Sequence, residues 1–196
     1  MDRPVPTATL SLSKFDVAER QLLQAIRMFF AEEDAVSIHT LSEAAGQVLH
    51  DIGKTKGVFS LVRDYERIRP ERKKEWLDAI FRSRNFFKHA DKDANAVREF
   101  KDVFNDFSLL DSMNMYATLK KRWTPETLMF MVWFGLAHPH LVRETADLHE
   151  VLQRLKANHD NVTAENKRHF AKLIRALRSG ELSAPNVDLT YGLPSV

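Results

Sequence analysis

Apolar side chains recur at three- and four-residue steps along most of the chain, and this spacing constrains the fold more than any other feature. In the first such stretch the apolar residues are Ala18, Leu22, Ala25, Ile26 and Phe29. The spacing matches the 3.6 residues of an α-helical turn, so each stretch predicts a helix with one buried face. Helices are predicted over 14–32, 37–52, 71–89, 104–119, 128–136, 141–156 and 163–178. The sequence therefore predicts an all-α fold, an antiparallel helical bundle with additional C-terminal helices.

Local residues mark several helix ends. Ser13 precedes the first helix and can cap it together with Asp16, and Thr124 followed by proline predicts another helix start. Gly180 predicts the end of the last helix. Residues 58–68 fit either a short helix or an irregular connection.

The 196 residues predict one domain, because a chain of this length buries about 70% of its unfolded surface in a single core. We expect an N-terminal extension over 1–12, the helical domain over 13–180 and a loose tail over 181–196. The chain has no cysteine, which excludes disulfides, zinc ribbons and thiol catalysis. It also has no apolar run of about 18 residues, so we expect a cytoplasmic protein without a membrane partner.

Charge is distributed unevenly, although the net charge of the whole chain is only +2. Residues 16–51 carry seven acidic and two basic side chains, whereas residues 67–92 carry nine basic and four acidic ones. A charge run of this kind is often a solvated helix face, and it also suits a surface that meets an anionic partner.

The basic region contains the most specific motif of the chain, Arg84-Asn85-Phe86-Phe87-Lys88-His89. It resembles the motif of the HEPN superfamily of small helical-bundle proteins, and the resemblance covers about residues 14–121. In that superfamily the motif helices of two protomers meet and form a metal-independent ribonuclease site. The resemblance implies that Arg84 holds the scissile phosphate, His89 is the general acid or base, and Asn85 orients one of them.

The same resemblance implies partners and surroundings for the site. RNA would be held by the neighbouring cations, which are Arg82, Lys88, Lys92, Lys73 and Lys74. We expect a homodimer without a cofactor, in a bacterial defence or stress system with RNA and a cognate antitoxin or other protein as partners.

The residue types also suit RNA cleavage on chemical grounds. Attack by a 2′-hydroxyl needs a proton acceptor that titrates near neutrality, as histidine does, and a fixed cation for the phosphate. At about 100° per residue, Asn85 and His89 share a helix face, whereas Arg84 is rotated by about 140° from His89. A straight helix therefore separates them, unless the arginine reaches round, the helix ends between them or a second protomer completes the site.

Two alternatives remain open. The first is a non-catalytic helical interaction module in which Arg84 and His89 stabilise a dimer interface. The second is a metal-dependent phosphohydrolase, because the His50-Asp51 doublet resembles the core of the HD-type enzymes. That family has another histidine well upstream and a later aspartate, whereas here His39 is only eleven residues before His50.

Overall fold

A computed structural model describes residues 9–64, 69–91, 93–141, 153, 157, 162–184 and 187–191. Its helices are α1 (Lys14–Ala31), α2 (Ala35–Lys54), a 3-10 turn (Pro70–Arg72), α3 (Lys73–Lys88), α4 (Phe104–Lys120), α5 (Pro125–Ala137) and α6 (Lys167–Ser179). The described residues form no β-strand, so the all-α prediction is confirmed. The helix predicted over 141–156 lies outside the described residues, except for 141 and 153.

Capping side chains set the helix starts. The Ser13 hydroxyl accepts the Asp16 N–H at 3.1 Å, and the Asp16 carboxylate accepts the Ser13 N–H at 2.8 Å, so α1 begins as predicted. The second helix begins two residues before the predicted start at Ser37. The reason is that the Asp34 carboxylate accepts the Ser37 N–H at 2.7 Å and thereby caps an earlier turn.

The C-terminal region differs from its prediction at two points. The last helix begins at Lys167, because residues before it form a turn in which the Asn166 N–H donates to the Thr163 carbonyl at 3.2 Å. Gly180 ends it as predicted, with a φ of 80° that favours glycine. Part of the tail expected to be loose lies against the core, through Leu182, Ala184, Val187 and Leu189.

The helices pack mostly antiparallel, but α2 and α4 run parallel. The connection from α1 to α2 is three residues long, which makes these helices antiparallel neighbours. By contrast, His39 and Ser42 of α2 contact Asn105 and Ser108 of α4 in the same chain direction. This parallel pairing is possible because the connection between α2 and α4 runs from 55 to 103 and includes α3.

The core is densest where α1, α5 and α6 meet. Six buried aromatic side chains contact one another there, and they are Phe29, Phe30, Phe130, Trp133, Phe134 and Phe170. Burial of each such side chain stabilises the fold by roughly 1.5–3 kcal/mol. The candidate motif lies away from this cluster, on α3.

Gly46→Ala should lower the free energy of unfolding by about 1–3 kcal/mol, although the same change on an exposed helix face is stabilising. A Cβ at Gly46 would lie 2.5 Å from Ser112 Oγ and 3.0 Å from Arg63 Nη2. Urea unfolding measures the difference. In a Ser112→Ala background, Gly46→Ala should lower the free energy of unfolding by less, because the clash with Ser112 Oγ is absent. A stabilising effect of Gly46→Ala in the wild-type background would contradict the close packing of Gly46 against Ser112 and Arg63.

Candidate functional site

The predicted catalytic residues lie on α3 and immediately after it. This helix packs beside α2, and Ser83 is its one buried residue. It ends at Lys88, one residue earlier than predicted, and His89 follows as an extended C-cap residue with φ −131° and ψ 132°. The His89 N–H still donates to the Asn85 carbonyl at 3.1 Å. His89 is therefore an exposed side chain at the open end of a helix.

An open groove of about 1030 Å³ runs beside this helix end. Arg82, Asn85 and His89 line one wall, since residues spaced by three and four share a helix face. The segment after α3 supplies the other wall, which includes Arg98. Four carboxylates also line the groove, those of Asp78, Asp91, Asp93 and Glu99. The groove thus brings a histidine, an amide and cations together, with acidic groups among them.

Arg84 lies on a different side of α3, as the helical rotation predicts. Its side chain is half-buried, and Nη1 donates to Oε1 of Gln47 on α2 at 2.9 Å. The guanidinium carbon lies 4.1 Å from the centre of the Phe81 ring, in a cation–π contact. Burial lowers the pKa of Arg84, Glu43 opposes this shift and Arg63 adds to it. Within one chain, Arg84 therefore secures α3 on α2 and is separated from His89.

The predicted RNA-binding cations are spread along the helix. Lys73 and Lys74 are exposed at its start, and Lys88 is exposed at its end. At 1.5 Å per residue, Lys74 and Lys88 are about 21 Å apart along the axis. Arg82 alone of this set lines the groove, and Lys92 lies outside the described residues.

A buried charge cluster that the sequence did not indicate lies between α2, α4 and the irregular segment 58–64. Arg63 is its centre: Nη2 donates to Glu43 Oε2 at 2.9 Å, and Nη1 makes a short ion pair with Asp111. All three side chains are almost fully buried. Each carboxylate has further donors, with Ser108 donating to Glu43 at 2.7 Å and Ser60 to Asp111 at 2.8 Å. In the part of the ambiguous segment that the structure describes, residues 58–64 are therefore irregular and are held by hydrogen bonds to charged groups.

The two residues of the His50-Asp51 doublet have different partners. His50 Nε2 contacts Asp64 Oδ1 at 2.8 Å, and its side chain is mostly buried. Asp51 is exposed, accepts from Gln47 at 3.1 Å and lies 3.5 Å from Lys54. Within the described ranges, no three His, Asp or Glu side chains form a group that could hold a metal ion.

His39 is a buried histidine whose tautomer is fixed by its neighbour. The Asn105 amide Nδ2 donates to the Ala35 carbonyl at 3.0 Å, so Asn105 Oδ1 is the acceptor that faces His39 Nδ1 at 3.1 Å. His39 Nδ1 therefore carries the proton. Burial lowers the pKa of His39, although Glu43 and Asn105 oppose that shift, so the ring is neutral at pH 7.

The free energy of unfolding should fall as the pH drops from about 7 to about 5, because His39 takes up a proton in the unfolded chain before it does so in the folded one. A group that binds more protons when unfolded makes stability rise with pH. Chemical unfolding at a series of pH values measures this slope. In His39→Gln the slope over this window should be smaller, and an unchanged slope would contradict the lowered pKa.

Comparison of the chain with protein-family models, curated proteins and solved structures finds no match. No helix among the described residues is long and apolar enough to cross a lipid bilayer.

Proposed function

We propose that the chain is a HEPN-like protein that cleaves RNA without a metal ion, with its site in the groove at the end of α3. The observation that carries this proposal is the exposed His89 beside Asn85 and Arg82 in one open groove. Such a groove gives a single RNA strand access to the imidazole of His89, a group that can transfer protons.

The groove supports the following division of roles. His89 takes the proton from a 2′-hydroxyl, whose oxygen attacks the adjacent phosphorus while the bond to the 5′-oxygen breaks. The leaving 5′-oxygen takes a proton from water, His89 returns its proton to the solvent, and the products carry a 2′,3′-cyclic phosphate and a 5′-hydroxyl. Asn85 orients the phosphate or His89. Arg82 holds the phosphate in this proposal, because it shares the groove wall with His89.

This assignment changes the role that the resemblance implies for Arg84. In one protomer its guanidinium is engaged with Gln47 and Phe81, so we assign it a positioning role that holds α3 on α2. A homodimer that meets along α3 would place two grooves side by side. In that arrangement Lys88 and the partner's equivalent cation would offset the carboxylates of the groove and attract RNA. A cytoplasmic role in bacterial defence, controlled by an antitoxin, belongs to the same proposal.

The test is incubation of the purified protein with single-stranded RNA in the presence of EDTA. We expect cleavage to products that end in a 2′,3′-cyclic phosphate, because the chemistry needs no metal. An RNA of the same sequence with 2′-O-methyl groups is the matched control and should stay intact, since it lacks the attacking hydroxyl. Absence of cleavage by the folded protein, or cleavage that EDTA abolishes, would contradict the proposal.

A non-catalytic interaction module is the second candidate, and two observations favour it. The guanidinium of Arg84 already has partners within its own chain, and four carboxylates line the groove. Both features suit a protein partner with basic side chains better than a polyanion. A folded dimer in light scattering that leaves every single-stranded RNA intact would support this candidate over the ribonuclease.

A further inference from the structure

A second, more enclosed cavity of about 320 Å³ lies under α3, between α2 and α4. Its apolar lining comes chiefly from Trp76 and Ile80 of α3 and from Phe104 and Phe107 of α4. The volume is at the lower end of the roughly 300–1,000 Å³ of small-molecule sites, and apolar walls with few polar groups are typical of them. An aromatic ring would fit between these side chains.

One polar group in the lining is a hydrogen-bond acceptor without a donor. His39 lines the cavity, is 4% exposed, and has its proton on Nδ1, where Asn105 accepts it. Its Nε2 atom is therefore an acceptor, and no described residue donates to it. Buried acceptors are nearly always paired, so this atom suits a ligand that carries a donor.

The two cations and two carboxylates of the lining balance in number, but their pairing is uneven. Arg63 is matched by Glu43 and Asp111, whereas Arg98 pairs with no carboxylate of the described residues. Arg98 lines the cavity, and its Nε donates to Ser83 Oγ at 3.1 Å, which holds the guanidinium in place. The remaining guanidinium N–H groups suit a carboxylate.

We propose that this cavity binds a small aromatic carboxylate with a hydrogen-bond donor on its ring. The ring lies against Trp76 and Ile80, the ring donor meets His39 Nε2, and the carboxylate meets Arg98. The inference is independent of the proposed ribonuclease activity, because it concerns a cavity under α3 and needs no RNA.

Isothermal titration calorimetry with three related probes tests the proposed pattern. 4-Hydroxyphenylacetate carries both groups, phenylacetate lacks the ring donor, and 4-hydroxybenzyl alcohol lacks the carboxylate. We expect 4-hydroxyphenylacetate to bind most tightly, phenylacetate about 5-fold more weakly and the alcohol at least about 10-fold more weakly, since hydrogen bonds to charged groups contribute more. Equal binding of all three, or no binding of the first at millimolar concentration, would overturn the proposal.

Variants locate the binding. Ile80→Trp should abolish it by filling the cavity, whereas Val97→Trp, at a residue that is 97% exposed and does not line the cavity, should leave it unchanged. His39→Phe should remove the preference for 4-hydroxyphenylacetate over phenylacetate. Arg98→Ala should weaken the binding of both of these carboxylate probes by about 10-fold or more. Circular dichroism checks that each variant is folded, and Ile80→Phe replaces Ile80→Trp if the latter is not. Wild-type affinity in the folded cavity-filling variant would place the probe elsewhere and overturn the assignment.

Discussion

His89→Ala should slow RNA cleavage by about a hundred- to ten-thousand-fold and leave the thermal midpoint unchanged. The rate falls because a positioned general acid or base is typically worth that factor. The thermal midpoint should not change, because the His89 side chain is exposed and makes no hydrogen bond with the described residues. The capping hydrogen bond of His89 uses its backbone N–H, which the substitution keeps. Initial rates on single-stranded RNA and a melting curve of the same preparation measure the two effects.

Arginine variants on either side of α3 sharpen this test. Arg82→Ala should lose cleavage without loss of stability, because Arg82 is exposed in the groove. Arg84→Ala should lower the free energy of unfolding by about 1–2 kcal/mol as well, since it removes a hydrogen bond and a cation–π contact. His89→Ala cleaving at the wild-type rate would place the chemistry elsewhere. Arg82→Ala with full activity would return the phosphate-binding role to Arg84, supplied by a partner protomer.

Arg63→Met should destabilise the fold by about 3–5 kcal/mol, because removal of one partner from a buried ion pair leaves its counter-charge without compensation. Here two carboxylates, those of Glu43 and Asp111, would lose their common cation. The irregular segment would also lose one of its attachments to α2. Thermal and urea unfolding at pH 7 measure the loss.

The pH dependence of this variant identifies the cause of its instability. Burial raises the pKa of Asp111 even with Arg63 present, so without Arg63 the Asp111 carboxyl group should be protonated more readily in the folded state. The destabilisation should therefore diminish as the pH falls, because neutral carboxyls are less costly to bury. Arg72→Met is the matched control, since Arg72 pairs with Glu75 on the surface and should change stability by less than about 0.5 kcal/mol. Equal melting temperatures for the two variants would contradict a structural role of the buried cluster.

Local signals in the sequence predicted the helices well. The capping pair of Ser13 and Asp16 and the glycine at 180 act on backbone groups within a few residues, so their effect can be derived without the tertiary structure. The separation of Arg84 from His89 followed in the same way from helix geometry. These predictions succeeded because each depends on neighbours along the chain.

The buried charge cluster has no such local signal. Glu43 and Asp111 are 20 and 48 positions from Arg63, and Arg63 belongs to a segment without helical periodicity. Nothing in the spacing of these residues marks them as partners, and an arginine in an ambiguous segment is usually exposed. The unpartnered Nε2 of His39 depends likewise on the orientation of Asn105, 66 positions away.

The parallel pairing of α2 with α4 has a consequence for how the molecule opens. Closure of the connection from 55 to 103 costs about 2 kcal/mol more entropy than closure of a four-residue loop. Most of the described core lies outside that connection, and α3 contributes one buried residue, Ser83. Amide protons of α3 should therefore exchange with solvent through a local opening event, whereas those of α1 and α4 should exchange only through global unfolding. Among the described α-helices, α3 has the fewest buried residues, so the helix that carries the candidate motif should detach at the lowest free-energy cost.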